Sequence, residues 1–422
     1  MTSSERYQAY LKALKQPFIK RCRLRFLQPD GSTAFALDNN PDNEKSSAFI
    51  QSGEMSCNLQ NGQRRTATVT LSNVDGAYDF NINKVWFGQQ IALDEGLVLP
   101  DGSDFYIQQG VFYVQEPTET FEPGQRTVEY NLVDKWAYLD GTLWGNLEGT
   151  YEVPVDSNIF DALRTLLLLP RGNGYAIDST EPIITAYYNG KTQEVTDRGS
   201  VLLTNSPYTL RIGSDSGTYA DVVEGLADML AAWIGYDASG ALRLDPSQDD
   251  ILDTEKPVLW AFSTDEAQLL GATYTTNNTS VYNDYIIIGE SLDETETIAA
   301  RATNKDATSD TNIYTSLGRR TVRESASGYY TVRQCEDLAV WRLKRATTLQ
   351  KSVSVSCTQM FHLEENNLIS LTRTDKKGSP VERHLITGFS RPLTGTDSMT
   401  IECTSVNDYP TATVEQWPLT TS

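Results

Sequence analysis

From residue 20 onward the chain alternates apolar and polar side chains with a period of two, the signature of half-buried strands. "CRLRFLQPDGS" sets Cys22, Leu24 and Phe26 against Arg23 and Arg25 and ends in a Pro-Asp-Gly turn, which predicts a strand entering a hairpin. "TATVTLSNVDG" repeats the device, with Ala67, Val69 and Leu71 on one side and threonines on the other. "FYIQQGVFYVQEP" and "RTVEYNLVDKW" add two more strands. Residues 20 to about 145 are therefore expected to form an antiparallel sheet or small barrel, preceded by a short helix, Glu5 to Leu14.

The period then lengthens. "SNIFDALRTLLLLP" places Ile159, Phe160, Leu163, Leu166 and Leu167 on one helical face before Pro170, and Val222, Leu226, Leu230 and Trp233 repeat the spacing. "YDASGALRLDP" reads as a hairpin turning at Ser239-Gly240. A second β region starts near 266. In it "VYNDYIIIGES" is a buried strand, the Thr/Ser/Asp-rich stretch 293–316 reads as an exposed loop, and "TVRQCEDLAVWRLKRAT" is a helix whose capping box is Thr331 with Gln334. "SVSVSCTQM", "NLISLTRTDKKGSPVERHLITGF" and "SMTIECTSV" supply the closing strands. The expected class is mainly β with an α/β insert: 1–148 as an N-terminal helix and first β-barrel, 149–265 as the insert, and 266–422 as a second, related β-barrel.

Length and composition support several domains. At 422 residues the chain exceeds what one core usually organises, and 39% hydrophobic content is ample for real cores. The longest apolar run, Leu166 to Leu169, is far short of the roughly 20 residues of a membrane span, and the N-terminus shows no apolar signal region. Those features predict a soluble protein kept in a cytoplasm and no membrane partner. Five widely spaced cysteines (Cys22, Cys57, Cys335, Cys357, Cys403) form no C-x-x-C pair and read as small buried hydrophobes. A formal net charge of −21 argues against gripping nucleic acid or anionic membrane, both of which need Lys and Arg on phosphate. The same acidity suits a surface that DNA must pass without sticking.

Candidate chemistry is sparse. "NGKT" (189–192) ends like a phosphate loop, but Thr185 stands where the first glycine belongs. "NVDGAYD" offers Asn73, Asp75 and Asp79, yet Tyr78 and Lys84 occupy the glycine and glutamate positions of a calcium loop, so a turn at Asp75-Gly76 is expected. "SDSG" and the two "PDGS" copies are turn chemistry, and no serine sits in a G-x-S-x-G elbow. With 56 acidic residues, carboxylate pairs of the glycosidase kind are uninformative. "FHLEENNLISLTR" sets His362 beside Glu364 and Glu365, with the only other histidine, His384, on the returning strand "ERHLITGF". Neither has a helical i, i+4 partner, so a structural hairpin is expected there. No catalytic, cofactor-binding or metal-binding residue is assigned.

The helix at 331–348 followed by "FHLEENNLISLTR", "ERHLITGFSRPL" and "MTIECTSV" resembles the second half of phage baseplate-hub and tail-tip hub proteins. "WFGQQIALDEGLVLPDGSDFYIQQGVFYVQEP" and "YNLVDKWAYLDGTLWG" are similar to the N-terminal portion of that family in phages and prophages of Gram-positive hosts. The resemblance implies two related β-barrels per subunit and a homotrimer whose six barrels match a sixfold tail tube while presenting threefold symmetry to a spike or tip. It further implies a DNA passage, contacts with tube or distal tail, spike and tape-measure proteins, and a virion location after assembly in the host cytoplasm. Many relatives carry a C-terminal wall hydrolase, whereas this sequence stops at "EQWPLTTS". Two other readings compete. A carbohydrate-binding receptor module is motivated by 21 tyrosines and 7 tryptophans, although Trp86, Trp136, Trp233 and Trp341 fall at positions expected to be buried. A wall hydrolase lacks an acid–base constellation.

Overall fold

The computed structural model describes residues 3–40, 48–79, 85, 88–172, 174–184, 194–196, 199–201, 204–206, 208–213, 215, 217–230, 232–246, 256–277, 279, 281–290, 297–326, 329, 331–347, 350–406 and 410–417. Helix α1 (Ser3–Ala13) leads into β1 (Lys20–Leu27), β2 (Thr33–Asp38), β3 (Ala48–Asn58), β4 (Arg65–Asn73), β5 (Ile91–Val98), β6 (Asp104–Glu122) and β7 (Gln125–Asp134). Alternation decides which face is buried: in β4 the odd positions Arg65, Ala67, Val69 and Leu71 are buried, while Thr66 and Thr68 are exposed. These strands lie in the order β3-β4-β7-β6-β5-β1-β2, every pairing antiparallel.

The insert contains β8 (Tyr151–Val153), α2 (Ile159–Leu167), β9 (Ile183–Ile184), β10 (Glu194–Thr196), β11 (Gly199–Val201), β12 (Leu210–Ile212), α3 (Tyr219–Met229), β13 (Ala232–Tyr236) and β14 (Leu242–Pro246). Asn158 caps α2 by accepting from the Phe160 and Asp161 amides, and Thr218 with Asp221 forms a capping box on α3. The apolar helical stripes pack into a core of their own that includes Ile159, Leu163, Leu166, Val222 and Leu226. The β13–β14 hairpin turns at Gly240, whose positive φ of 79° fits a glycine, and Asp237 ties the turn by accepting from the Ser239 amide and hydroxyl.

The chain returns as β15 (Val258–Ser263), β16 (Leu269–Asn277), β17 (Asp284–Ile288), β18 (Ala299–Asn304), β19 (Thr321–Ser325), α4 (Val332–Thr347), β20 (Gln350–Cys357), β21 (Leu368–Thr372), β22 (Val381–Pro392), β23 (Met399–Ser405) and β24 (Ala412–Gln416). Within the stretch expected as an exposed loop, β18 is a strand with all six residues buried. Its polar composition misleads because the polar groups are paired: Arg301 forks Asp284 with bonds of 2.7 and 2.6 Å, and Thr303 donates to the same carboxylate at 3.0 Å. β18 pairs with β17 and β24 in a separate sheet, β19-β17-β18-β24, backed by α4. Of the expected capping box, the Gln334 side chain lies outside the described residues.

The remaining strands join the first region. β15 already pairs with β21, ahead of the expected boundary at 266, and β22 pairs with β3, so both β regions belong to one 13-stranded sheet over one shared apolar core. Within that sheet the strand order β1-β5-β6-β7-β4-β3 recurs as β15-β21-β22-β23-β20-β16, taking strands in chain order. Even the irregularities correspond. β6 is bulged between Val114 and Glu116 opposite β7, and β22 between Ile386 and Gly388 opposite β23. The one difference in direction is that β1–β5 is antiparallel and β15–β21 parallel.

Candidate functional site

The segment 359–366 lies where the two β units meet, and its charged groups are answered by arginines from distant strands. Glu365, buried, takes Arg65 at 2.5 Å and Arg64 at 3.6 Å, and the Cys57 thiol donates to it at 3.1 Å. Arg64 also reaches Asp245 of the insert at 3.8 Å. Burial alone would raise the Glu365 pKa, but Arg65 and Arg64 outweigh it and hold the carboxyl below the usual range. Glu364 shares the same partner at 3.6 Å, yet there burial wins and its pKa is raised.

A second cluster continues the first through Gln109. Its carbonyl accepts from Arg65 at 2.8 Å, its side-chain nitrogen donates to the Phe361 carbonyl at 2.9 Å, and its side-chain oxygen accepts from Arg391. Arg391 pairs with Glu95 at 2.6 Å, both with fully buried side chains, and Lys20 joins Glu95 at 2.9 Å. Burial opposes ionisation of Glu95, but Arg391 and Lys20 outweigh it and keep the carboxyl low. The network thus ties β1, β4, β5, β6, β22 and the 359–366 segment into one charge-compensated cluster.

The histidines are held separately. The Tyr10 hydroxyl of α1 accepts from the Phe361 amide at 2.9 Å and lies within hydrogen-bond distance of His362 Nδ1, at 3.0 Å. Burial, reinforced by Arg391, pushes His362 down to about 4, so it is neutral near pH 7. His384 lies on β22 opposite Ile369, contacts Ser405 Oγ at 3.3 Å and Glu382 at 3.6 Å, and is also lowered, chiefly by burial. Among the described residues no group of three or more His, Cys, Asp and Glu could hold a metal. All five cysteines are free and buried, and burial pushes the Cys57 thiol well up, as expected of packing residues.

The "NVDGAYD" and "PDGS" motifs resolve as turns. Asn73 accepts from the Tyr78 amide at 3.0 Å and donates to Asp79 at 2.7 Å, Arg126 pairs with Asp79, and Gly76 takes φ 70°, so "NVDGAYD" is a tied turn. Asp30 and Asp101 each accept from the serine two residues on. "NGKT" lies outside the described residues, as do Ser214, Ser216 and Trp86. Trp136 is buried, whereas Trp233 and Trp341 are partly exposed. Sequence reasoning missed Arg65 and Arg391 as the partners of the buried carboxylates. A signal existed for Arg65, which shares the inward phase of Ala67, Val69 and Leu71.

The opposite face of the joined sheet has its own character. One row of side chains runs Val133, Thr66, Ser56, Ser390, Thr400, Ser356 across β7, β4, β3, β22, β23 and β20. Adjacent rows run Glu116, Asn131, Thr68, Glu54 and Asn58, Gly388, Glu402, Ser354, Thr273. These rows carry hydroxyls, amides and carboxylates, with neither Lys nor Arg. Arg23 and Arg25 both pair with Asp94 at 2.7 Å, and Arg64 and Arg65 point into the core.

No protein-family model matches the chain, and no curated protein matches it in sequence. Solved structures do match. A tail protein from Neisseria meningitidis MC58 has a TM-score of 0.59 at 9% identity, covering 92% of this chain and 97% of that one. The 43 kDa tail protein of prophage MuSo2 from Shewanella oneidensis gives 0.57 at 14% identity, over 91% of this chain and 98% of that one. A prophage tail protein from Listeria monocytogenes EGD-e gives 0.54 at 8% identity, over 91% and 94%. At such identities the likeness is one of fold, and it extends over nearly the whole chain.

Proposed function

We propose that this chain, which has the fold of those tail proteins, is the hub of a phage tail tip or baseplate. Three copies would contribute two β units each, adapting a sixfold tail tube above to a threefold spike or tip below and leaving a passage for DNA. The observation that carries this reading is the repeated strand order, because a trimer offers six similar units only if each subunit contains two. The shared core and the buried Arg–Glu network support it, since they fix the two units relative to one another, as a symmetry adaptor requires. The cation-free rows would line the passage, where lysines or arginines would bind phosphate and stall DNA. In this role the chain is structural and has no catalysis; tube or distal tail, tape-measure and spike proteins are its partners, and the virion tail its location. A mass measurement on concentrated purified protein tests the reading. Three times the 47.0 kDa subunit is expected, and a monomer at every concentration would contradict it.

A further inference from the structure

The repeated strand order has a consequence for how copies would join. Inside one chain, β22 uses a single edge for two partners: its first part pairs with β21, and beyond the bulge Gly388 to Pro392 pair with β3. The counterpart of β22 is β6, whose first part pairs with β5 up to Phe112. Among the described residues no strand pairs with that edge of β6 beyond its bulge, from Glu116 to Glu122. The counterpart of β3 is β16, which pairs with β20 and ends the sheet. One copy therefore presents both halves of a joint already made once within it.

We propose that β16 of one copy adds to the outer part of β6 of the next, repeating the β3–β22 pairing between chains; the inference rests on the multimeric hub reading above. The register follows from the internal joint. Matching the two bulges equates Glu116 with Gly388, Thr118 with Ser390 and Glu119 with Arg391. Matching the ladders equates Ser56 with Thr275 and Met55 with Tyr274. Since Ser390 faces Ser56 and Arg391 faces Met55, Thr118 faces Thr275 and Glu119 faces Tyr274 of the neighbouring copy.

Two observations agree with this placement. Eight strands from β6 to β16 are antiparallel throughout, so a head-to-tail neighbour again meets an antiparallel edge. Both edges expose apolar side chains, Phe121 at 64% and Leu270 at 60%, where an uncovered edge strand invites pairing.

The test is a cysteine pair, Thr118→Cys with Thr275→Cys, oxidised and run without reductant alongside each single variant. The native thiols are buried and give little background, and side chains directly opposite on antiparallel strands lie close enough to bridge. Covalent oligomers up to three chains in the double variant, and none in the singles, are expected. A protein of threefold mass that does not cross-link overturns the strand pairing and leaves the trimer standing; a monomer overturns both. Leu270→Glu supplies a second reading. Because Leu270 is exposed in the subunit, the variant should keep the fold while losing threefold mass, and a trimer of unchanged stability would count against the pairing.

Discussion

At the scale of single residues, polar groups that stand out in the sequence are tied into buried contacts. The Tyr10 hydroxyl satisfies the Phe361 amide and His362 together. Tyr10→Phe leaves both without that partner and should cost about 1–3 kcal/mol, read as a lowered midpoint in denaturant. The same contact predicts a pH dependence. Unfolded His362 takes up a proton near pH 6.5, whereas folded His362 does so only at about 4, so stability falls as pH drops through that window and levels off below it. The loss should be on the order of 1–3 kcal/mol, and His362→Gln should flatten it. A pH profile of unfolding that does not differ between wild type and variant would count against the assignment. Glu365→Ala removes the counter-charge of Arg65 and Arg64 in a closed interior and should cost about 3–5 kcal/mol. The hairpin that follows "HLEEN", β21 with β22, was legible from its alternation and its turn residues. The arginine partners of Glu365 were not, because Arg65 is 300 residues away in sequence and only the strand phase marks it as inward.

At the scale of elements, local pattern and long-range pairing divide what could be read. β1, β4, β6 and β7, the apolar face of α2 and the Ser239-Gly240 turn follow from period and turn chemistry, which act within a few residues; the face of α3 does so only in part, because the helix ends at Met229 and Trp233, expected on it, stands on β13. β18 was hidden by its polar side chains, whose compensation by Asp284 is not a local property. The β3–β22 joint was hidden because nothing in either strand names its partner. Gly388 lies in that joint, and a Cβ there would come within 2.8 Å of the Cys57 carbonyl oxygen. Gly388→Ala should therefore prise β22 from β3. We expect a loss of about 1–3 kcal/mol and faster amide exchange in those two strands than in β5 and β6.

At the scale of the whole molecule, a chain with net charge −21 concentrates neither sign at random. Named cations such as Arg64, Arg65 and Arg391 neutralise buried carboxylates, while the rows from Val133 to Ser356 and from Glu116 to Glu54 present no cation. If those rows line the passage, Thr68→Lys with Ser354→Lys should leave stability and self-association unchanged, because surface changes of this kind rarely exceed about 0.5 kcal/mol. The same variant should gain salt-sensitive DNA retention and lower the infectivity of tails that carry it. Screening limits wall effects to roughly 8 Å at physiological salt, so the gain should fade as salt rises. A density map of the assembled tail at side-chain resolution would show which residues face the passage. Three copies around the axis with Thr66, Thr68, Ser354 and Glu402 facing the lumen are expected; the same residues on the outer wall, or a lumen lined by Lys and Arg, would rule out the proposed hub.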